Sequence, residues 1–371
     1  MTSSPILIIG AGAMGLSIGW QLARRGRETV IYERGEAGRG TTWLSAGMLA
    51  PDTELGFEEV EFYGLTRESA RRWPDFAAEL ESASGIDVDL RTDGTLIVAD
   101  DRVAAEALRR RYEFMRETGL EVRWLTGAEA LELEPFVAPR LAAAVHSPQD
   151  YQVDNRLLVE ALKAAFLAAG GVLHEHSPVR TVKPDEIAPS IVLEDGERVA
   201  GSAIIIAAGV WSRDVEGMVD RPPVRPVKGQ MVELHMEAPF GLVHVVRGPQ
   251  AYVVPKSSGR LLVGATSEEM GFDVRVTAGG LYRLLEGGWE IVPGIYDLPV
   301  RDMWAGLRPA SRDHLPILGP SSAPGIVMAT GLFRHGILLT PIVAEEMARS
   351  VAEGAISEWL APFSPLRFAG A

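Results

Sequence analysis

The chain of 371 residues has no cysteine. Disulfides, thiolate metal sites, a redox-active dithiol and a cysteinyl bond to a cofactor are therefore excluded. It also lacks an apolar run long enough to form a membrane-spanning helix. Basic side chains are in deficit: 36 Lys and Arg face 50 Asp and Glu, a formal net charge of −14. That balance argues against nucleic acid or an anionic membrane as a bulk partner, so an anionic substrate needs individually placed arginines. No internal repeat or low-complexity tract occurs, and the opening Met-Thr-Ser-Ser-Pro leads straight into a strand pattern. A cytoplasmic protein without a signal peptide is expected. The length suggests two domains, and a hydrophobic content of 47% is ample for their cores.

What is present is concentrated at residues 6 to 15. Ile6 to Ile9 is a continuous apolar, β-branched run, as a strand buried on both faces requires. Directly after it come Gly10, Gly12 and Gly15 in G-x-G-x-x-G spacing, and Met14, Ile18 and Leu22 fall on one helical face. In that context Gly10 permits the tight turn, Gly12 lets a pyrophosphate approach the backbone, and Gly15 lets helix and strand pack closely. The helix N-terminus offers its free N–H groups to phosphate. A second apolar run, Thr29 to Tyr32, ends at Glu33, whose carboxylate suits a ribose hydroxyl. The pattern predicts a dinucleotide site and leaves flavin and nicotinamide cofactors both open. Only one such fingerprint occurs, which argues against a two-nucleotide disulfide reductase.

Further along, the small residues from Gly38 to Pro51 suit close approach of backbone to a ligand, with Thr41 and Thr42 at a helix start. Helices are expected over about 58–82, with a kink at Pro74, over 101–117, and over 156–168 behind Asp154 as N-cap. Strands are expected at 94–99, 172–175 and 203–207, with a hairpin at 191–199 turning at Asp195-Gly196. From Pro222 an antiparallel texture sets in, with runs at 230–235, 242–247, 251–255 and 260–264, ending near Pro299. A last helix is expected to open with Thr340 as N-cap and Pro341 at its first position, and to stop before Gly354. His174, His176, His235, His244 and His314 show no metal-ligand spacing, so no metal is expected.

Several segments, in order along almost the whole chain, resemble the glycine oxidase family within the D-amino-acid oxidase group of FAD-dependent amine oxidoreductases. They are Gly10–Gly15, Glu33, Thr41-Thr42, Ala46-Gly47-Met48, Val179, Gly209-Val210-Trp211-Ser212, Tyr252–Pro255, Leu262–Thr266, Trp304–Pro309 and Phe333–Leu339. The resemblance implies an α/β, Rossmann-like FAD-binding domain assembled from separated segments (1–84, 147–221 and 307–371). It implies beside it an α+β substrate domain with a mainly antiparallel sheet (85–146 and 222–306). It implies non-covalent FAD and oxidation of glycine, sarcosine or small D-amino acids by hydride transfer to flavin. The products would be an imine or oxo acid, ammonia and hydrogen peroxide, with a role in making the thiazole of thiamine.

Residue by residue, the resemblance assigns Gly10, Gly12, Ala13, Met14, Gly15, Glu33 and Arg34 to the ADP part of FAD, and the Val179 backbone to the adenine. Thr41, Thr42, Ala46, Gly47 and Met48 would line the pyrophosphate, ribityl and flavin side, and Gly209 and Trp211 would also bind the cofactor. Leu332, Phe333, Arg334, His335, Gly336, Ile337 and Leu338 would lie along the isoalloxazine. Tyr252, Arg308 and Arg334 match the family's catalytic and substrate positions, with Gln250 and Ser267 beside them. Gln250 stands where the family type has histidine, Ser267 where it has methionine, and His335 where it has asparagine; the first two bear on which amine fits. Read alone, Arg308 is either a carboxylate fork or a surface ion pair, and Tyr252 either a ligand contact or an ordinary core aromatic. Small amino-acid substrate and molecular oxygen are the expected partners, and a homo-oligomer is expected. A D-amino-acid or imino-acid dehydrogenase feeding a quinone, and a non-catalytic FAD-binding subunit, are the alternative readings.

Overall fold

The computed structural model describes residues 4–54, 56, 59–218 and 221–369. The chain opens with β1 (Ile6–Ile9), α1 (Ala13–Ala23), β2 (Thr29–Tyr32), the single turn α2 (Thr41–Leu44), β3 (Met48–Leu49) and α3 (Val60–Ser84). It continues with β4 (Thr95–Ala99), α4 (Arg102–Glu117), β5 (Arg123–Thr126), α5 (Gly127–Leu133) and β6 (Ala143–Ser147). Then come β7 (Tyr151–Gln152), α6 (Asn155–Ala168), β8 (Val172–His174), β9 (Val179–Lys183), β10 (Ser190–Leu193), β11 (Arg198–Ala200) and β12 (Ala203–Ile206). The last third holds β13 (Arg225–His235), β14 (Val245–Arg247), β15 (Tyr252–Pro255), β16 (Arg260–Gly264) and α7 (Ala278–Ile291). It closes with β17 (Val300–Ala310), β18 (Ile317–Pro320), β19 (Ile326–Thr330) and α8 (Thr340–Glu353).

Two large sheets organise these elements. A six-stranded sheet has the order β18-β19-β12-β1-β2-β8 and is parallel except at β18. Its central strands β1 and β12 are apolar throughout because both faces are covered: α1, α3, α6 and α8 supply most of the core on one, and β9 and β10 pack on the other. An eight-stranded sheet has the order β17-β13-β16-β15-β14-β4-β6-β5 and is antiparallel except where β14 meets β4. This is the expected class, a Rossmann-like layer beside a mainly antiparallel one.

Most expected elements stand. Asp154 caps α6 through the N–H groups of Arg156 and Leu157, and Gly354 closes α8 at φ +73°. The helix at α3 runs through Pro74 as one element of 25 residues. Three expectations need correction. The antiparallel sheet does not end near Pro299: β17 continues it to Ala310, paired along β13. Its first four residues are all exposed, so the strand shows no inside–outside alternation to read. Helix α7 gave no helical signal because Gly279, Gly280, Gly287 and Gly288 interrupt it. Those glycines let it lie close: a Cβ on Gly287 would meet the Gln250 Cβ at 2.8 Å. Thr340 is the first residue of α8, not its cap; its hydroxyl donates to the Gly336 carbonyl at 3.0 Å, and Leu339 holds the cap position.

Candidate active site

One cavity of about 960 Å³ runs from the glycine-rich turn to the face of the antiparallel sheet. At one end β1 stops at Gly10, where φ is +101° and a Cβ would lie 2.6 Å from the Ala207 carbonyl oxygen. At Gly15 a Cβ would meet the Gly10 carbonyl oxygen at 1.8 Å, so α1 starts this close to β1 only with glycine there. The Ala13 N–H donates to Thr42 Oγ1 at 3.1 Å. Among the described residues the N–H groups of Gly12 and Met14 have no protein acceptor, and both residues line the cavity. Glu33 accepts from the N–H of Ala11 at 2.8 Å and of Gly35 at 3.0 Å. Its carboxylate is thereby fixed beside the turn, with lone pairs left over. Nearby, the Arg34 guanidinium stacks 3.6 Å from the Trp211 ring centre, and Val179 and Gly209 complete this end.

The middle is walled by Thr41, Thr42, Ala46, Gly47 and Met48. Thr41 donates to the Leu307 carbonyl at 2.6 Å, tying α2 to β17. Asn155 donates to the carbonyls of Thr42 and Trp43 at 2.9 and 2.8 Å, holding the same turn from behind. Opposite lies the loop after β19, with Leu332, Phe333, Arg334, Gly336 and Ile337 on the cavity wall. The Phe333 N–H donates to the Pro309 carbonyl at 2.9 Å, which pins this loop to β17.

At the far end Arg308, Tyr252, Gln250 and Ser267 come together. Arg308 projects from β17 across Gly229 of β13, where a Cβ would lie 2.6 Å from both of its terminal nitrogens. Its Nη1 donates to the Thr266 carbonyl at 3.0 Å, which fixes the fork's rotation. Tyr252 of β15 lies across Gly264 of β16 in the same way. Burial pushes the Tyr252 phenol up from its ordinary pKa, against the opposing charge of the adjacent Arg308.

Three residues chosen from the sequence stand behind the wall. Gly15 is the packing contact just described. The Leu338 carbonyl accepts from Ser69 and Trp73 of α3. His335 uses its N–H on the Leu332 carbonyl, and its buried ring packs edge-on against Phe62 with 5.1 Å between centres. Burial lowers its pKa to about 3, so the ring is neutral at physiological pH.

Arg334 is held by acids: Nη2 donates to Glu59 at 2.5 Å and to the Glu54 carbonyl at 2.9 Å. The Glu54 carboxylate also accepts from Arg247 Nη1 at 2.8 Å. Burial alone would raise the Glu54 pKa, but the Arg247 and Arg334 guanidinium groups hold the carboxyl below the usual range. Sequence reasoning missed Glu54, Arg247 and Gly229. The signal for Arg247 was an arginine closing an apolar strand run one short turn before Gln250. Behind Glu54, two buried acids anchor residues 51–54. The Asp52 N–H donates to Asp150 at 3.1 Å, the Thr53 hydroxyl donates to Asp150, and Tyr63 and Ser147 donate to Asp52.

A phosphate-accepting turn at one end of a cavity and a free guanidinium fork at the other define an enzyme that sets a dinucleotide cofactor against an anionic substrate. The profile of the FAD dependent oxidoreductase family, DAO, matches residues 5–350. The chain belongs to this family. It is 36% identical over 368 residues to the glycine oxidase of Geobacillus kaustophilus (strain HTA426), covering 98% of this chain and 97% of that one. The crystal structure of glycine oxidase from Geobacillus kaustophilus superposes with a TM-score of 0.92 over 100% of both chains. Iminodiacetate oxidase (IdaA) from Chelativorans sp. BNC1 superposes with a TM-score of 0.86 at 30% identity, over 97% of this chain and 98% of that one. The chain is also 30% identical to the bifunctional protein ThiO/ThiG of Synechocystis sp., of which it covers 54%.

FAD is the cofactor. The site fits it: no Cβ fills the cradle at Gly10 and Gly12, the N–H groups of Gly12 and Met14 are open, and the cavity continues to Arg308. Bound there, FAD supplies the two-electron acceptor. The N–H groups of Gly336 and Ile337, just ahead of α8, have no protein acceptor among the described residues and face the same cavity. They and the helix dipole are placed to stabilise negative charge.

Proposed function

We propose that this enzyme oxidises glycine and close relatives, among them sarcosine and small D-amino acids, at the C–H bond next to the carboxylate. The amine loses two electrons and two protons to become an imine, and water cleaves the imine to an oxo acid and ammonia. Oxygen takes the electrons and leaves as hydrogen peroxide. The observation that carries this is the Arg308 fork, pinned by Thr266 over Gly229 and open to the cavity beside Tyr252. A fork fixes a carboxylate in position and in rotation, which sets the adjacent carbon for reaction. Tyr252 gives the carboxylate a further donor, Arg334 adds positive charge, and Gln250 and Ser267 bound the space for the side chain. Gly10, Gly12, Ala13, Met14, Glu33, Arg34 and Val179 hold the ADP part of FAD. Ala46 to Met48 and the loop 332–338 hold the flavin part. Segments 1–84, 147–221 and 307–371 form the FAD domain in this reading, and 85–146 and 222–306 the substrate domain. The match to glycine oxidases over nearly the full chain supports the activity, and the match to ThiO/ThiG supports a role in supplying the thiamine thiazole. A cytoplasmic homo-oligomer belongs to the same reading; among the described residues no helix is long and apolar enough to cross a membrane.

The test is a panel of glycine, sarcosine, proline and D-alanine. Each is assayed for peroxide in air and for loss of flavin colour without oxygen. Glycine or sarcosine should bleach the flavin and yield peroxide. Bleaching without peroxide in air would favour a dehydrogenase, and no bleaching by any amine would refute the reading.

A further inference from the structure

The substrate end of the cavity has more positive charge than one carboxylate needs. Arg308 and Arg247 both line it and flank Tyr252: Arg247 pairs directly with Tyr252 across the β14–β15 hairpin, and its guanidinium carbon lies 5.9 Å from the ring centre. Arg247 spends only Nη1 on Glu54; its other N–H groups have no protein acceptor among the described residues. Arg308 spends Nη1 on the Thr266 carbonyl and also hydrogen-bonds the Tyr252 side chain, with donors left over. Three guanidinium groups (Arg247, Arg308 and Arg334) meet two carboxylates (Glu54 and Glu59) on this wall, and Arg111 and Asp150, one basic and one acidic group, stand behind them, so positive charge is in excess by at least one. A glycine zwitterion is neutral and leaves that surplus unmatched. An amine bearing two carboxylates carries one net negative charge and matches it.

Resting on the amine-oxidase reading above, we infer that the preferred substrate class is an amine with a second carboxylate, of the iminodiacetate type. Arg308 holds the carboxylate next to the reacting carbon and Arg247 holds the distal one. Glu54 tunes the site: it competes with the distal carboxylate for the Arg247 fork and keeps that arginine aimed at the cavity when no dianion is bound. Ser267 and Gln250 line the same cavity and add polar groups to its wall. The reaction stays that of the family. One C–H bond of the oxidised arm breaks, its two electrons pass to the cofactor and then to oxygen, and the nitrogen loses its proton as the C=N bond forms. Water then releases glyoxylate and leaves glycine.

Two measurements on the FAD-loaded protein test this. Binding is read by calorimetry with diglycolate, in which an ether oxygen replaces the amine so that no oxidation follows, and with acetate as the single-carboxylate control. Turnover is read with iminodiacetate and sarcosine. Diglycolate should bind at least tenfold tighter than acetate. Arg247→Gln should lower kcat/KM for iminodiacetate at least tenfold more than for sarcosine and abolish the preference for diglycolate. Glu54→Gln, which frees the fork, should tighten diglycolate. A structural role for the Arg247–Glu54 pair predicts instead that both variants weaken diglycolate and acetate alike, and that result overturns the assignment. So does a wild type that oxidises sarcosine but neither oxidises iminodiacetate nor prefers diglycolate. Failure on every amine would instead sink the amine-oxidase reading itself.

Discussion

Arg308 works through shape as well as charge. Its fork has one nitrogen tied to a carbonyl and a glycine beneath it, so the remaining donors point one way. Lysine would keep the charge and lose the planar fork. Arg308→Lys should therefore raise KM and also slow flavin reduction at saturating glycine. Arg308→Ala should cost about 3 kcal/mol in kcat/KM, roughly a hundredfold, because a charge-assisted pair leaves a desolvated site. A primary amine without a carboxylate separates this from a folding defect. It should react poorly with the wild type and lose little more in the alanine variant; equal losses on both amines would count against the clamp. At this scale the sequence was legible where a residue sits within a local motif, as Arg308 does in Trp-Ala-Gly-Leu-Arg-Pro. It was not legible where partners are remote. Glu54 and Arg247 are 193 positions apart and meet only in the fold. Gly229 matters only because the register places it beneath the fork.

Elements set which of these residues meet. The long pairing of β13 with β17 brings Gly229 under Arg308, and the hairpin of β14 and β15 puts Arg247 across from Tyr252. The segment carrying Glu54 has little regular structure, and the buried pair Asp52 and Asp150 anchors it instead. Burial, and then the neighbouring Asp52, pushes the Asp150 pKa from 3.8 to about 7. The folded protein thus holds a proton there that the unfolded chain gives up near pH 3.8. This contribution to stability is complete below that pH and is lost as pH rises through about 7. Asp150→Asn keeps an acceptor for the Asp52 N–H and does not titrate. The melting midpoint of the wild type should fall relative to that of Asp150→Asn between pH 4 and pH 7, in a series of thermal melts. A constant difference across that range would mean Asp150 does not hold the proton. Elements with a clean period or cap were readable from the sequence: β1, α1, α6 and the β10–β11 hairpin. The capping box that starts α5 is equally local, since Thr126 and Glu129 stand three residues apart. The exposed half of β17 and the glycine-rich α7 were not readable, because tertiary packing, not local pattern, holds them in place.

For the whole molecule, the cofactor cavity is also a joint. Its walls come from the parallel sheet, through Ile9, Gly10 and Ala329, and from the antiparallel sheet, through Met231, Tyr252 and Arg308. Direct ties across this joint include Thr41 to Leu307, Trp304 to the Leu44 carbonyl at 2.8 Å and Phe333 to Pro309. A ligand that binds only the folded state stabilises it by mass action. At a free concentration a thousand times Kd the gain is about 4 kcal/mol. Because both sheets wall the cavity that FAD would fill, its removal should lower the midpoint of the entire unfolding transition, not of one half. With no cysteine in the chain and no sulfur linkage available, acid precipitation should leave all the flavin in the supernatant as FAD. Titrating FAD back into the stripped protein should then raise a single midpoint in proportion to the logarithm of its concentration. Riboflavin lacks the pyrophosphate and adenosine that the proposed function assigns to the glycine turn and Glu33, and it should raise the midpoint far less at equal concentration. Two resolved transitions, only one of them moving with FAD, would show that the sheets unfold separately and that the cavity does not couple them. A riboflavin effect equal to that of FAD would show that the glycine turn contributes nothing to holding the cofactor.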